Sequence, residues 1–463
     1  VNANAVVMVK WKGNLGSFFS FNKTFKLECL IFALVVLLLS CAKDDKSTII
    51  NNPPNKSQNR SVDYKLWEIK EGKFYFDGDW EFLKIGKPLR NFADKREVYQ
   101  LIQDLDLLKN KNYNVIEINC YWHHFDTDGD GTPDTSLEPL KVLVDSIYAK
   151  GMYPGLSIET YSVGGGSIPS GFWEKYPDAF AIDDKGKKVN DIEYGFNTEV
   201  VSIFHKGYRE AVHTFIKNIA KGIDTKKVLY FETTVEPQYM GTINLDFSDN
   251  AKTEYHQWRQ KNNITDTSSE MPDSFPIYES FITNDTWNKF RAQFLAKWVN
   301  EDAAAYREIA GEKAYVAVDF LDADENTTVR RNGDPLEFLS SLTAPNIIQV
   351  NWHWYFPTNE PNLKAYDRVR GVMEEMKRDW AVSEHMTFNG SDYVDYTDGE
   401  LRRILYNTLQ QGTRFGWEFV SVNNSEGSFS LYHEDWTPKR VIGIVDDNWD
   451  YWLDQIRMIE GTK

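Results

Sequence analysis

The chain has 463 residues, 41% of them hydrophobic, which is enough for a large buried core and too many for a disordered body. Its formal net charge of −17 excludes the basic face that a nucleic-acid partner needs. Aromatic residues reach 14%, with 15 Trp, 24 Tyr and 28 Phe, a supply that serves either a large core or flat faces for stacking on sugar rings.

The first forty residues do not read as part of a fold. Lys10, Lys12, Lys23 and Lys26 precede an apolar run at 30–40, too short for a membrane span and suited to the core of a signal peptide. Leu38, Leu39 and Ser40 before Cys41 resemble the bacterial lipobox, which makes Cys41 the acylated N-terminus of a lipoprotein. Lys43, Asp44 and Asp45 look like a short acidic export signal, so the expected location is the outer membrane, exposed at the cell surface. The organisation expected is a signal peptide at 1–40, a lipidated flexible tether at 41–63 and one domain at 64–463. Cys29 falls in the removed segment, leaving Cys120 without a partner for a disulfide once Cys41 carries lipid.

From residue 64 on, short apolar strands alternate with amphipathic helices. Phe74, Tyr75 and Phe76 and the run at 80–85 flank Asp77-Gly78-Asp79, a hairpin signal, and the second arm leads into a first core strand. Val98, Leu101, Ile102, Leu105 and Leu108 keep helical spacing. Further strands are expected at 114–122, 152–159, 228–232, 315–320, 347–352, 380–384 and 415–419. Leu401, Ile404, Leu405 and Leu409, closed by Gly412, mark the helix before the last. Strands this apolar are buried on both faces and so belong to a parallel sheet. Eight such units make either a long open sheet or a closed (β/α)₈ TIM barrel. No Gly-x-Gly-x-x-Gly follows an early strand, so the barrel is the better reading. The stretch from Pro237 to Asp285 exceeds one loop and one helix and reads as a loop-rich insertion after strand four.

Asp126, Asp128, Asp130 and Asp134 sit in a Gly-rich loop resembling the first half of a calcium site, although Leu137 stands where the bidentate Glu is expected. It reads either as a solvated acidic turn or as a structural calcium loop, and the density of carboxylates favours calcium. His123 and His124, beside Trp122, read either as surface-loop histidines or as substrate contacts. The histidines form no His-Glu-x-x-His cluster, so no catalytic metal or other catalytic cofactor is expected.

In barrels of this kind the reactive groups lie where strands end. Strand four runs on to Glu236-Pro237, strand six to His353-Trp354-Tyr355, strand seven to Glu384-His385, and strand eight carries Trp417. In these positions the sequence resembles the clan A glycoside hydrolases, with the His353-x-Tyr355 pair most like family five. The resemblance implies Glu236 as acid/base, Glu384 as nucleophile, Tyr355 as the support of Glu384, and Trp417 as the floor of the sugar site. Trp122, His123 and His353 join as further substrate-binding residues. Two departures stand out: Val235 occupies the place of the clan's usual Asn before the acid/base, and no clear counterpart exists for the Arg of family five. Glu159, Glu232, Asp319, Asp322 and Glu418 also lie near strand ends, where carboxylates usually serve in structural ion pairs. The function expected is a retaining β-glycosidase cleaving a poly- or oligosaccharide by double displacement. The alternative is a surface glycan-binding lipoprotein on a barrel without activity.

Overall fold

The computed structural model describes residues 67–161, 167–191, 198–239, 245–265, 285–321, 325–354, 363–388, 397–422 and 430–461. All belong to one compact unit spanning 62–463. Cys41, the leader and the tether expected at 41–63 lie outside them, as does Tyr355.

β1 (Trp67–Lys70), β2 (Lys73–Phe76) and β3 (Asp79–Glu81) form a small antiparallel sheet. Asp77 and Gly78 link β2 to β3 with φ of 51° and 90°, the left-handed pair that an Asp-Gly hairpin favours. The arm expected at 80–85 is divided: β3 ends at Glu81, and the barrel begins with β4 (Leu83–Lys87).

The barrel continues through β5 (Val115–Tyr121) and β6 (Tyr153–Glu159). The short ribbon of β7 (Asn190–Asp191) and β8 (Thr198–Glu199) intervenes in the chain. It then runs through β9 (Tyr230–Thr234), β10 (Tyr315–Phe320), β11 (Ile347–Trp354), β12 (Ala381–Phe388) and β13 (Gly416–Val420), and β13 pairs in parallel with β4 to close it. The eight-stranded parallel barrel expected from the sequence is therefore the fold. Helices follow each strand, among them Lys206–Gly222 after β6, Asp285–Ala310 after β9 and Asp398–Gln411 after β12. The helix Asp249–Lys261 occupies part of the insertion between β9 and its barrel helix. Among the described residues no helix is long and apolar enough to cross a membrane.

The helices form for local reasons and stay because they bury a face. In Asp398–Gln411, Thr397 and Glu400 make a reciprocal capping box, and Gly412 (φ 126°) closes the C-terminus. Leu401, Ile404, Leu405 and Leu409 are its buried stripe, each contributing roughly 1.5–3 kcal/mol by leaving water.

Side chains alternate between the two faces of a strand. On the outer face Ile116, Phe231, Val318, Val350, Val382, Met386 and Trp417 pack in the main core with the helices. Inside, Leu83, Val115, Tyr230, Ala317, Ile347 and Ala381 fill the N-terminal end together with Trp67 and Phe74 from the hairpin sheet. This alternation decides which polar residues can reach the open C-terminal end.

Candidate active site

Above the apolar plug the inner face turns polar. Lys87, the last residue of β4, is buried at the barrel centre, with its Nζ 2.6 Å from Glu117, 2.7 Å from Glu232 and 3.5 Å from Glu418. These three glutamates bring oxygens within 4.8 Å of one another, as a metal site would, and the Lys87 ammonium is the cation among them. Burial opposes charge on Lys87, but the glutamates hold its pKa well above the ordinary value. Burial likewise opposes charge on Glu117, yet Lys87 holds it down at about 2, and the Tyr230 hydroxyl donates to it at 2.5 Å. Glu232 is pushed well up by burial and by the charge of Glu117, against the pull of Lys87. His385 on β12 lies 3.1 Å from Glu418 and 3.8 Å from Asp319. Burial alone would lower it, but those two carboxylates raise it to about 9, which makes it an imidazolium at neutral pH.

Glu236 stands at the mouth, two residues beyond β9, buried and with φ of 52°. A glutamate in the left-handed region costs about 1–3 kcal/mol, and such conformations collect at functional sites. Its amide donates to Asp319 Oδ2 at 3.1 Å. Its carboxyl accepts from Asn351 Nδ2 at 3.1 Å and from Gln238 Nε2 at 3.5 Å. Val235 before it is buried and donates only its backbone amide, to Ile158, so the side-chain amides beside Glu236 are those of Asn351 from β11 and Gln238. Glu159 ends β6, the strand next to β9. Burial and then the nearby charges of Glu236 and Asp319 push its pKa well above the ordinary carboxylate value, against the pull of Lys87.

The remaining residues singled out in the sequence divide. His123 and His124 lie just past β5 with rings 4.2 Å apart, beside Tyr121. Burial lowers both, His124 to about 4, while a hydrogen bond with the Ser167 backbone pulls His123 the other way, and among the described residues the Nδ1 of His124 has no hydrogen-bond partner. His353 lies in β11, with its side chain outside the described part. Three expectations are corrected. Trp122 is a core residue, fully buried against Phe172, Tyr208 and Phe215. Trp417 does not floor a sugar site: its ring packs on Phe82, Trp449 and Trp452, and its Nε1 donates to Thr408 of the helix Asp398–Gln411 at 3.0 Å. Glu384 is paired in register with Val350 and Trp417 and lies between Val382 and Met386, so it shares their helix-facing side. β12 also runs four residues past it to Phe388, so Glu384 is not at the strand end. It is not brought together with Glu236.

Lys87, Glu117, Asn351 and Gln238 were missed, and Glu159, Asp319 and Glu418 were read only as ion-pair members. One signal could have found most of them: they share the strand parity of the inward residues.

In the Asp126 loop, Asp126 is buried and accepts from Gly129 N at 2.8 Å, Gly131 N at 2.7 Å and Trp122 Nε1 at 2.7 Å. Gly131 (φ 90°) has no room for a side chain, since a Cβ would meet Ala211 O at 2.3 Å. Asp126, Asp128 and Asp130 can offer oxygens within 4.8 Å of one another, but Asp134 is turned to Thr127, which donates its amide at 2.8 Å. The four-aspartate set expected for calcium is therefore reduced to three.

A closed (β/α)₈ barrel with a buried glutamate just past its fourth strand and a carboxylate-lined C-terminal end defines the class by fold, that of the TIM barrels. More particularly, residues 92–275, which include Glu159 and Glu236, match glycoside hydrolase family 42, described as beta-galactosidase. Among solved structures, the chain is similar to the beta-amylase catalytic domain of Paenibacillus polymyxa (TM-score 0.58, 13% identity, 79% of this chain and 97% of that one). It is also similar to the beta-galactosidases of Halorubrum lacusprofundi (TM-score 0.60, 12% identity, 81% of this chain and 58% of that one) and Marinomonas ef1 (TM-score 0.58, 11% identity, 81% and 60%). The chain thus spans less than two thirds of the length of those galactosidases. No curated protein sequence matches it.

Proposed function

We propose that this barrel hydrolyses a β-linked oligosaccharide of the β-galactoside class, with Glu236 delivering the proton to the leaving glycosidic oxygen. The observation that carries the reading is Glu236 itself, held in a left-handed conformation at the mouth with Glu159 beside it. Two buried carboxyl groups that feel each other's charge oppose each other's ionisation, which favours the protonated form. Cleavage consumes that proton. The imidazole of His124, held down at about 4 and unpartnered at Nδ1 among the described residues, is available to bond a sugar hydroxyl. The galactoside class follows the family 42 match over 92–275.

A double displacement requires an attacking carboxylate about 5–5.5 Å from the acid/base, whereas inversion leaves about 6.5–9.5 Å for a water. Glu384 faces the helices and does not fill that place. The test is digestion of a panel of aryl β-glycosides and β-galactans, with the first-formed anomer read by NMR. Hydrolysis with a retained product supports the retaining form, an inverted product replaces it with water attack, and an inert panel sinks the reading.

The outward Glu384 favours one second reading, a glycan-binding barrel that does not hydrolyse; binding of the same panel without turnover would select it. Surface anchoring through Cys41 is proposed from the Leu38-Leu39-Ser40-Cys41 pattern. Cys41→Ala should release the protein from the membrane fraction, and continued partitioning would refute that anchor.

A further inference from the structure

We propose that Asp319 and His385 are positioning residues for Glu236: Asp319 fixes its left-handed backbone, and His385 holds Asp319 in place. This rests on the reading of Glu236 as the proton donor.

The geometry divides the work between strands. From β10, Asp319 accepts the Glu236 amide at 3.1 Å, and from β11, Asn351 donates to the Glu236 carboxyl at 3.1 Å. One strand therefore grips the backbone and the next grips the side chain. Left-handed backbone at a glutamate persists only where the surroundings over-determine it, and the bond to Asp319 reaches the backbone itself.

Asp319 is fully buried, and its other oxygen, Oδ1, has no hydrogen-bond partner among the described residues. That oxygen lies 3.8 Å from His385 Nδ1, which in turn lies 3.1 Å from Glu418 Oε1. The charged and titratable groups facing Asp319 are His385 from β12, Lys87 from β4, Glu418 from β13, Glu236 beyond β9 and Glu159 from β6. Burial and the carboxylates favour the neutral form of Asp319, while His385 and Lys87 favour its anion. Without a cation at His385, the acceptor for the Glu236 amide would weaken. No role in binding or attacking the sugar is assigned to either residue.

Three variants test this. Asp319→Ala removes acceptor and charge, Asp319→Asn keeps an acceptor and removes the charge, and His385→Gln removes the facing cation. Misplacing a catalytic group by about 1 Å can cost on the order of 100-fold. Asp319→Ala should lose about that much in kcat with KM little changed, and Asp319→Asn should recover at least about tenfold of the loss. In Asp319→Asn the alkaline limb of the kcat profile should move to lower pH, because a negative charge beside the proton donor is gone. In His385→Gln it should move to higher pH. A crystal structure of Asp319→Ala should show Glu236 relaxed out of the left-handed region. Glu236 still near φ 52° in that structure, or wild-type kcat in Asp319→Ala, overturns the proposal. If Asp319→Ala does not fold, the Glu236 amide proton of the wild type is followed by NMR. It should titrate with Asp319 and stop titrating in Asp319→Asn, and an identical titration in both overturns the proposal. An active Glu236→Gln would instead remove the proton-donor reading, while the backbone claim would still be decided by the structure of Asp319→Ala.

Discussion

Glu384 and Trp417 are register partners across β12 and β13, and both side chains lie between the barrel and its helices. Trp417 finds a donor–acceptor partner there in Thr408, whereas among the described residues neither carboxyl oxygen of Glu384 has a hydrogen-bond partner. A residue that reads as a nucleophile by its place in the sequence is a buried acid on the helix-facing side of the barrel.

Glu384→Leu should therefore stabilise the protein and leave turnover intact. An unpartnered buried polar group costs about 1–3 kcal/mol, and burial raises the Glu384 pKa well above its ordinary value. With a raised folded pKa, the folded state binds more protons than the unfolded one above about pH 4.5, so stability falls as pH rises from there. The gain in Glu384→Leu should accordingly be larger at pH 7 than at pH 4, as measured by urea unfolding at both. Loss of turnover in a folded Glu384→Leu would return Glu384 to the site.

Glu236→Gln should reduce kcat by at least about 100-fold with an unchanged melting curve, since general acid catalysis typically contributes 10²–10⁴-fold. Glu159→Gln should shift the alkaline limb of activity to lower pH, because the proton on Glu236 is then no longer retained by a neighbouring carboxylate. A profile identical to wild type would separate Glu159 from the chemistry.

Lys87→Met should be the most damaging change inside the barrel. It strips the cation from Glu117, Glu232 and Glu418, and breaking a buried pair typically costs about 3–5 kcal/mol. The same network sets an acid limit. Glu117 has its folded pKa depressed to about 2, so its contribution is present above its ordinary value near 4.5 and is lost as pH falls toward 2. Equilibrium unfolding between pH 5 and pH 2 should show this loss, and Glu117→Gln should flatten it.

Asp126→Ala should destabilise by more than Asp128→Ala or Asp130→Ala, because only Asp126 is buried with three N–H donors to leave unpaired. Calcium binding by the three aspartates is read by melting with and without chelator: a higher melting temperature with calcium supports it, since a ligand of the folded state stabilises by mass action. Identical curves, with no metal in the purified protein, would leave the loop to its N–H donors.

The sequence by itself determined the architecture. Eight apolar strands such as 347–352 and amphipathic helices such as the one carrying Leu401, Ile404, Leu405 and Leu409 can be buried together in few ways, and the periods of both elements are local properties. The resemblance at the strand ends singled out Glu236, and the fold places it two residues beyond β9. Only the tertiary structure decided which face of each strand looks inward. Side-chain direction alternates every residue, so Glu384 and His385, adjacent in the chain, point to opposite sides, and a sheet apolar on both faces gives no local cue for choosing between them. Closing the barrel fixes that choice for all eight strands at once. It sends Trp417 and Glu384 outward and gathers Lys87, Glu117, Glu159, Asp319, Asn351, His385 and Glu418 from seven strands into one polar interior.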